Sequence, residues 1–342
     1  MGGNALKQTQ TSRLTATEYR QLAAKVMATL AQAWPEARPH LVRSYANKPD
    51  FGDMDVIVDG TGVPQDVAEQ LRELFGSREI VHNGPVWSCD VDDFQLDLIR
   101  MPAQDYATAV DYFAYNDCGN LMGRIARRLG FKYGHQGLSY LLREGSHLVA
   151  EVEVSRDPES IFRFLGFVER QYDYRRFCRG FKTLEGMFAF VASSKFFDKT
   201  AYALEDRNHT ARTRDRKRAS YRAFLEWLAE GRVESGPSAG MPHDHHRSRA
   251  KMMFPDFAMR LNAAEQAHAA SKRRKDIFNG QAVSALTGRT GKELGALMAQ
   301  LRHQYEGGPI AFDSWLDGNP TQAAIEAYVM NGHAELARAE VP

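Results

Sequence analysis

Apolar positions along this chain change period twice, and the changes mark out its elements. Over 17–34, Tyr19, Leu22, Ala23, Val26 and Leu30 recur at the spacing of one helical face, with Thr17 placed as the cap. A strand is expected near 40–44. The loop 45–52 then leads into Gly52-Asp53-Met54-Asp55-Val56-Ile57-Val58, where Met54, Val56 and Val58 alternate toward one face. A helix follows over 63–75, with Val67, Leu71 and Leu74 in register. Three short strands are expected near 78–82, 85–91 and 93–100. This order builds a mixed sheet with helices on one side.

From about 105 the pattern turns helical. Helices over 106–115 and 120–129 are split by Asn116-Asp117-Cys118-Gly119, and Gly130 sits where a closing glycine belongs. A short β segment is expected within 131–154. Asp157 caps a helix through Ile161, Phe162, Phe164 and Leu165 that ends at Gly166. Residues 170–230 are helical and aromatic-rich, 231–249 read as a flexible loop, and a last helical unit runs from about 252 to 336. The fold class is α+β, with a largely α-helical C-terminal half. Segments are expected at 1–36, 37–104, 105–170, 171–250 and 251–342.

Composition narrows the class. A length of 342 residues suits about two or three domains, and 43% hydrophobic with 25% charged residues is ordinary for a water-soluble chain. No apolar run approaches the roughly 18 residues a membrane helix needs, so no membrane partner is expected. Residues 1–14 carry no apolar secretion-signal core. Cys89, Cys118 and Cys178 have neither disulfide nor zinc spacing. A reducing, cytoplasmic setting is expected, the host cytoplasm if the source is viral.

Charge changes the picture further. Residues 48–100 hold twelve acidic against four basic residues, a net −8 in a chain of +1, which leaves +9 elsewhere. Residues 207–222 alone carry seven basic groups and one acid. An acidic segment beside a basic body suits a metal and a polyanion, although a charge run is also the ordinary dress of a solvated helix.

The acidic segment has its own chemistry. On a strand, Asp53 and Asp55 share a face, and two fixed anions repel unless a proton or cation lies between them. Mg²⁺ takes one or two protein carboxylates and leaves its other positions to water and phosphate. Asp97, between apolar neighbours in Phe94-Gln95-Leu96-Asp97-Leu98-Ile99-Arg100, is costly to bury unless something pairs it. Three carboxylates meeting on adjacent strands would form a two-metal site for in-line attack on a nucleotide phosphate. A strand edge with solvated acids is the plainer alternative.

Ser44, then Gly52-Asp53-Met54-Asp55, then Asp97 resembles the polymerase-beta nucleotidyltransferase superfamily. Tyr112-Phe113-Ala114-Tyr115-Asn116-Asp117-Cys118-Gly119-Asn120-Leu121-Met122-Gly123-Arg124 resembles the nucleotide-binding helix pair of family X DNA polymerases, and the likeness spans roughly 38–170. The resemblance implies a nucleotidyltransferase palm and transfer of a nucleoside monophosphate from an NTP or dNTP to a DNA or RNA 3′-end, with two Mg²⁺ ions or Mn²⁺ in their stead. It implies that Asp53 and Asp55 hold both metals and that Asp97 holds the catalytic one. Ser44 and amides near Gly52 would bind terminal phosphates, Tyr112 and Phe113 would lie against the sugar, and Asn120 and Arg124 would face the base.

On the residues alone, Tyr112 and Phe113 read equally as core aromatics, Asn120 and Arg124 as a surface pair one helical turn apart, and Ser44 as a strand-end hydroxyl. The chain departs from the family at Arg43, where a glycine is usual, and at Ala114-Tyr115-Asn116, where Thr-Gly-Ser is usual. The choice between ribo- and deoxynucleotides therefore stays open. With one helix ahead of the palm, no lyase activity is expected, and the compact build fits a phage source. A binding protein that keeps the fold without the chemistry, or transfer to a protein or small molecule, are the alternatives.

The C-terminal unit has a separate signal. Thr287-Gly288-Arg289-Thr290-Gly291-Lys292-Glu293-Leu294 resembles the tail of CCA-adding enzymes, where a Gly-rich turn before a helix offers N–H groups to phosphate. With Lys272, Arg273, Arg274 and Lys275 upstream, Arg289 and Lys292 are expected to touch a nucleic-acid backbone, the alternative being a packing turn. His243-Asp244-His245-His246 has the residue types of metal ligands, yet it lies in a polar loop and a specific metal site is not expected there.

Overall fold

The structure is a computed structural model and describes residues 3–169, 171–205, 209–231 and 233–339. The chain divides into two compact units, Met1–Ala258 and Met259–Pro342, and the four segments expected up to residue 250 fall within the first.

β1 (Leu14–Thr15) leads directly into α1 (Ala16–Ala33). The cap is Thr15 rather than the expected Thr17. Its hydroxyl accepts the Glu18 N–H at 3.4 Å while the Glu18 carboxylate accepts the Thr15 N–H at 2.8 Å. The signal was the glutamate three residues on, which completes a capping box only with Thr15.

β2 (His40–Leu41), β3 (Asp50–Phe51), β4 (Asp53–Asp59), α2 (Val67–Phe75), β5 (Ile80–Asn83), β6 (Val86–Val91) and β7 (Phe94–Met101) follow. α2 starts at Val67 rather than 63: Pro64 disfavours helical backbone at Val63, and Asp66 is the cap, its carbonyl accepting the Gln70 N–H at 3.1 Å. β1 pairs with β3 alone. The other strands form one sheet in the order β2-β4-β7-β6-β5, with β4 and β7 parallel and every other pair antiparallel.

Met54, Val56 and Val58 of β4 and Phe94, Leu96 and Leu98 of β7 are buried against Leu22, Val26 and Leu30 of α1 and Val67 and Leu71 of α2. The opposite face of β4 and β7 begins with the aspartates and turns apolar at Ile57 and Ile99. There α3 (Tyr106–Tyr112) packs, through Ala109. Helices therefore lie on both faces of the sheet, a correction to the one-sided arrangement expected.

α4 (Cys118–Arg128) follows a turn in which Tyr115 and Asn116 both take left-handed backbone, φ 58° and 61°. β8 (Phe131–Gly134), β9 (Gly137–Glu144) and β10 (His147–Ser155) make a second antiparallel sheet. α5 (Pro158–Phe164) is capped by Asp157, which accepts the Ser160 N–H at 2.9 Å. α6 (Tyr174–Arg179), α7 (Leu184–Ala192), α8 (His209–Lys217) and α9 (Ala219–Ala229) surround an aromatic core in which Phe162, Phe177, Phe181 and Phe190 touch.

α10 (His243–Met253) begins inside the stretch read as loop. Only His246 and Ala250 of this helix are buried, so it carries little of the apolar periodicity that reveals a helix. α11 (Pro255–Ile277) begins in the first unit and ends in the second, where α12 (Gly280–Thr287), α13 (Gly291–Gln304), α14 (Gly308–Asp317) and α15 (Gln322–Ala339) follow. The last four enclose a core of Val283, Leu297, Leu301, Phe312, Leu316 and Val329.

Candidate active site

The parallel pairing of β4 with β7 sets Asp55 directly opposite Asp97 and Asp53 opposite Gln95. Because i and i+2 share a face, three carboxylates meet at the start of two neighbouring strands. One oxygen from each of Asp53, Asp55 and Asp97 lies within 4.8 Å of the other two. Among the described residues this is the one group of three or more acidic, histidine or cysteine side chains that converges so closely.

Burial first, then the charges of Asp53 and Asp97, push the Asp55 carboxyl up to about 7. Burial also raises Asp97, against the hydrogen bonds it accepts from Ser88 and Gln95. The Gln95 amide donates to both Asp97 oxygens at 2.9 Å, and its own carbonyl accepts the Ala5 N–H at 3.0 Å. Lys48 is the nearest compensating charge. Its ammonium lies 4.3 Å from the centre of the Phe51 ring, and burial lowers its pKa while Asp53 and Asp55 pull it back up. The cluster is short of positive charge, and its donors are hard oxygens. Such a set fits Mg²⁺ or Mn²⁺.

Asp53 and Asp55 open onto a cavity of about 700 Å³ that also gathers Ser44, Gly52, Tyr112, Phe113 and Asn120. The Ser44 loop is pinned by the Ala46 and Asn47 N–H groups, which donate to the Phe181 and Lys182 carbonyls at 2.9 and 3.0 Å. Tyr112 and Phe113 meet edge to face at 5.5 Å, and Phe113 stacks on His135 at 5.9 Å. The Asn120 Nδ2 is buried with no hydrogen-bond partner among the described residues. An orphaned donor of this kind is uncommon in a folded protein and often marks a ligand position.

Arg124 is not brought to that cavity. It points to α8 and donates to the buried Asp215 at 3.0 Å. Arg43 lines the cavity and is also a structural anchor. It pairs with the buried Asp111 at 2.5 Å, its guanidinium lies 5.1 Å from the Tyr115 and Phe177 rings, and its carbonyl accepts the Tyr115 N–H at 2.7 Å. Tyr174 donates a second bond to Asp111 at 2.7 Å.

Several lining residues escaped the sequence reading. Arg13, Lys48, Arg214 and Arg218 add positive charge to the cavity wall, and Asp117 orients Arg218 while accepting the Ser220 hydroxyl at 2.6 Å. Arg214 and Arg218 lay in the basic tract, whose first two residues, 207 and 208, are outside the described residues. Gln95 had a signal too, since it shares the strand face of Asp97.

In the second unit, Arg274 is committed to Asp317 at 2.6 Å and Asp313 at 3.8 Å, inside the unit's own framework. Arg273, Lys275 and Lys292 are exposed, as is Lys272, and Arg289 is half-buried. Gly288 and Gly291 take left-handed backbone, φ 70° and 54°, on either side of Arg289-Thr290. His243 Nε2 lies 3.1 Å from the Arg128 carbonyl oxygen and His246 is buried against Phe196, so these histidines face different neighbours.

No protein-family model and no curated protein matches this chain. The observations define a mixed α+β chain with a carboxylate triad able to hold a metal ion.

Proposed function

We propose that the chain is a metal-dependent nucleotidyltransferase that moves a nucleoside monophosphate from an NTP or dNTP to a nucleic-acid 3′-hydroxyl. The observation that carries this reading is the convergence of Asp53, Asp55 and Asp97 beside a cavity that also holds Ser44, Gly52, Tyr112, Phe113 and Asn120. Divalent cations bound by the three aspartates would neutralise phosphate charge and acidify the attacking hydroxyl.

The chain's own groups account for the remainder. The 3′-oxygen forms a bond to the α-phosphorus as the bond to the β-phosphate oxygen breaks, and pyrophosphate leaves. Asp97, opposite Asp55 on the neighbouring strand, would accept the hydroxyl proton. Lys48, Arg214 and Arg218 offset the triphosphate charge, with Ser44 and the Gly52 amide on its terminal oxygens. Tyr112 and Phe113 bound the sugar, and the free Asn120 amide finds an acceptor on the base.

Labelled NTPs and dNTPs offered to a single-stranded primer, with and without template, test the reading. Wild type extends the primer, while Asp53→Ala and Asp97→Ala lose extension with unchanged circular dichroism. Full activity in either variant sinks the assignment. Extension without template and with NTPs alone identifies RNA tailing; dependence on template identifies templated synthesis.

A further inference from the structure

A second cavity, of about 420 Å³, opens between α5, Lys195 and α10 in the first unit. Three cations converge on it: Arg163, Lys195 and Arg249. The Arg249 guanidinium lies 4.3 Å from the centre of the Phe164 ring and 4.1 Å from that of Phe196. One of its nitrogens donates to the Phe164 carbonyl, and Nε is buried without a partner among the described residues. Lys195 shares the same Phe196 ring at 4.9 Å. Among the described residues neither cation has a carboxylate within ion-pairing distance, and Arg163 has only the exposed Glu159 at 3.8 Å.

Four other arginines of this unit are paired. Arg43, Arg124, Arg128 and Arg218 each face a buried or nearly buried aspartate. At the second cavity burial lowers Arg249 to about 10, and burial followed by the Arg249 charge lowers Lys195. Two half-buried like charges without a counter-ion are unfavourable, and an anion between them removes the conflict. A guanidinium fork, an ammonium and the neighbouring Ser160 suit a tetrahedral oxyanion. Val168, 51% exposed, with Met253 and Phe254 adds an apolar wall where a sugar can rest.

We propose that this cavity binds a phosphoryl group through Lys195, Arg249 and Arg163, supplied by the backbone of a nucleic-acid strand. The inference does not depend on catalysis at the aspartates. The test measures anisotropy of a labelled single-stranded oligonucleotide on the full chain across a salt series, beside calorimetry with inorganic phosphate. Lys195→Gln should weaken oligonucleotide binding about threefold or more and lower the slope of log K against log salt by about 0.7, the loss of one phosphate contact on a single strand.

Lys195→Glu should weaken binding further, and Arg249→Lys should keep the charge but lose part of the affinity. Arg249 also supports the Phe164 carbonyl, so the Lys195 variants, whose melting should match wild type, carry the decision. Loss of inorganic phosphate binding in Lys195→Gln with an unchanged oligonucleotide slope keeps the anion site but overturns the strand as its source. Unchanged affinity for both ligands in both Lys195 variants overturns the site.

Discussion

Asp55 bears the sharpest electrostatic conflict in the molecule. Its carboxyl holds a proton up to about 7 in the folded chain and releases it near 3.8 when free of that environment. The folded state therefore binds more protons across that interval, and stability falls as pH rises through it. In EDTA, the melting temperature of wild type relative to Asp55→Asn should drop between about pH 4 and pH 7. Adding Mg²⁺ at pH 8 should raise the wild-type value and leave Asp55→Asn unmoved, because a cation that binds only the folded site stabilises it. A flat difference curve would contradict the charge conflict. Gln95 acts on the same site indirectly, since its amide fixes both oxygens of Asp97. Gln95→Leu should move the Mg²⁺ midpoint of primer extension up by roughly 10- to 100-fold, the usual effect of removing a group that orients a metal ligand. An unmoved midpoint would show that the strand and the Ser88 hydroxyl aim Asp97 without it.

At the scale of elements, the turn between α3 and α4 and the end of β2 are locked by one arginine. Arg43→Ala leaves Asp111 buried with only Tyr174, and breaking such a pair costs roughly 3–5 kcal/mol. Urea titration should show a loss of that order, and one below about 1 kcal/mol would place the support elsewhere. The bulky cation at position 43 is thereby absorbed into the fold. Tyr115 is similar, a non-glycine in left-handed backbone whose buried ring and bond to the Phe177 carbonyl outweigh a strain of roughly 1–2 kcal/mol. Neither role was legible in the sequence, because both depend on α6, about 130 residues beyond Arg43 and about sixty beyond Tyr115. The Asp53/Asp55 pair was legible because period two is local. Asp97 was legible as a costly charge in an apolar strand, though its alignment with Asp55 comes from strand register. α10 was missed because only one and a half turns of it face a core.

On the scale of the whole molecule, sign segregation is the main physical fact. The sheet segment 48–100 is strongly acidic and the remaining residues are basic, so affinity for a polyanion must arise away from the carboxylates or through cations bound to them. In the second unit, Arg274 is consumed by Asp313 and Asp317, while beside the exposed Lys272 three further cations, Arg273, Lys275 and Lys292, are exposed. Replacing these three with glutamine should weaken binding to all sequences alike and reduce the salt slope on single strands by about 2, at roughly 0.7 per phosphate released. Each replacement is on the surface and should change melting by less than about 0.5 kcal/mol equivalent. If the slope is unchanged, these cations serve solubility only. Salt dependence would then have to come from Arg214, Arg218 and Lys195 in the first unit, and the likeness to a CCA-adding tail would describe a packing turn.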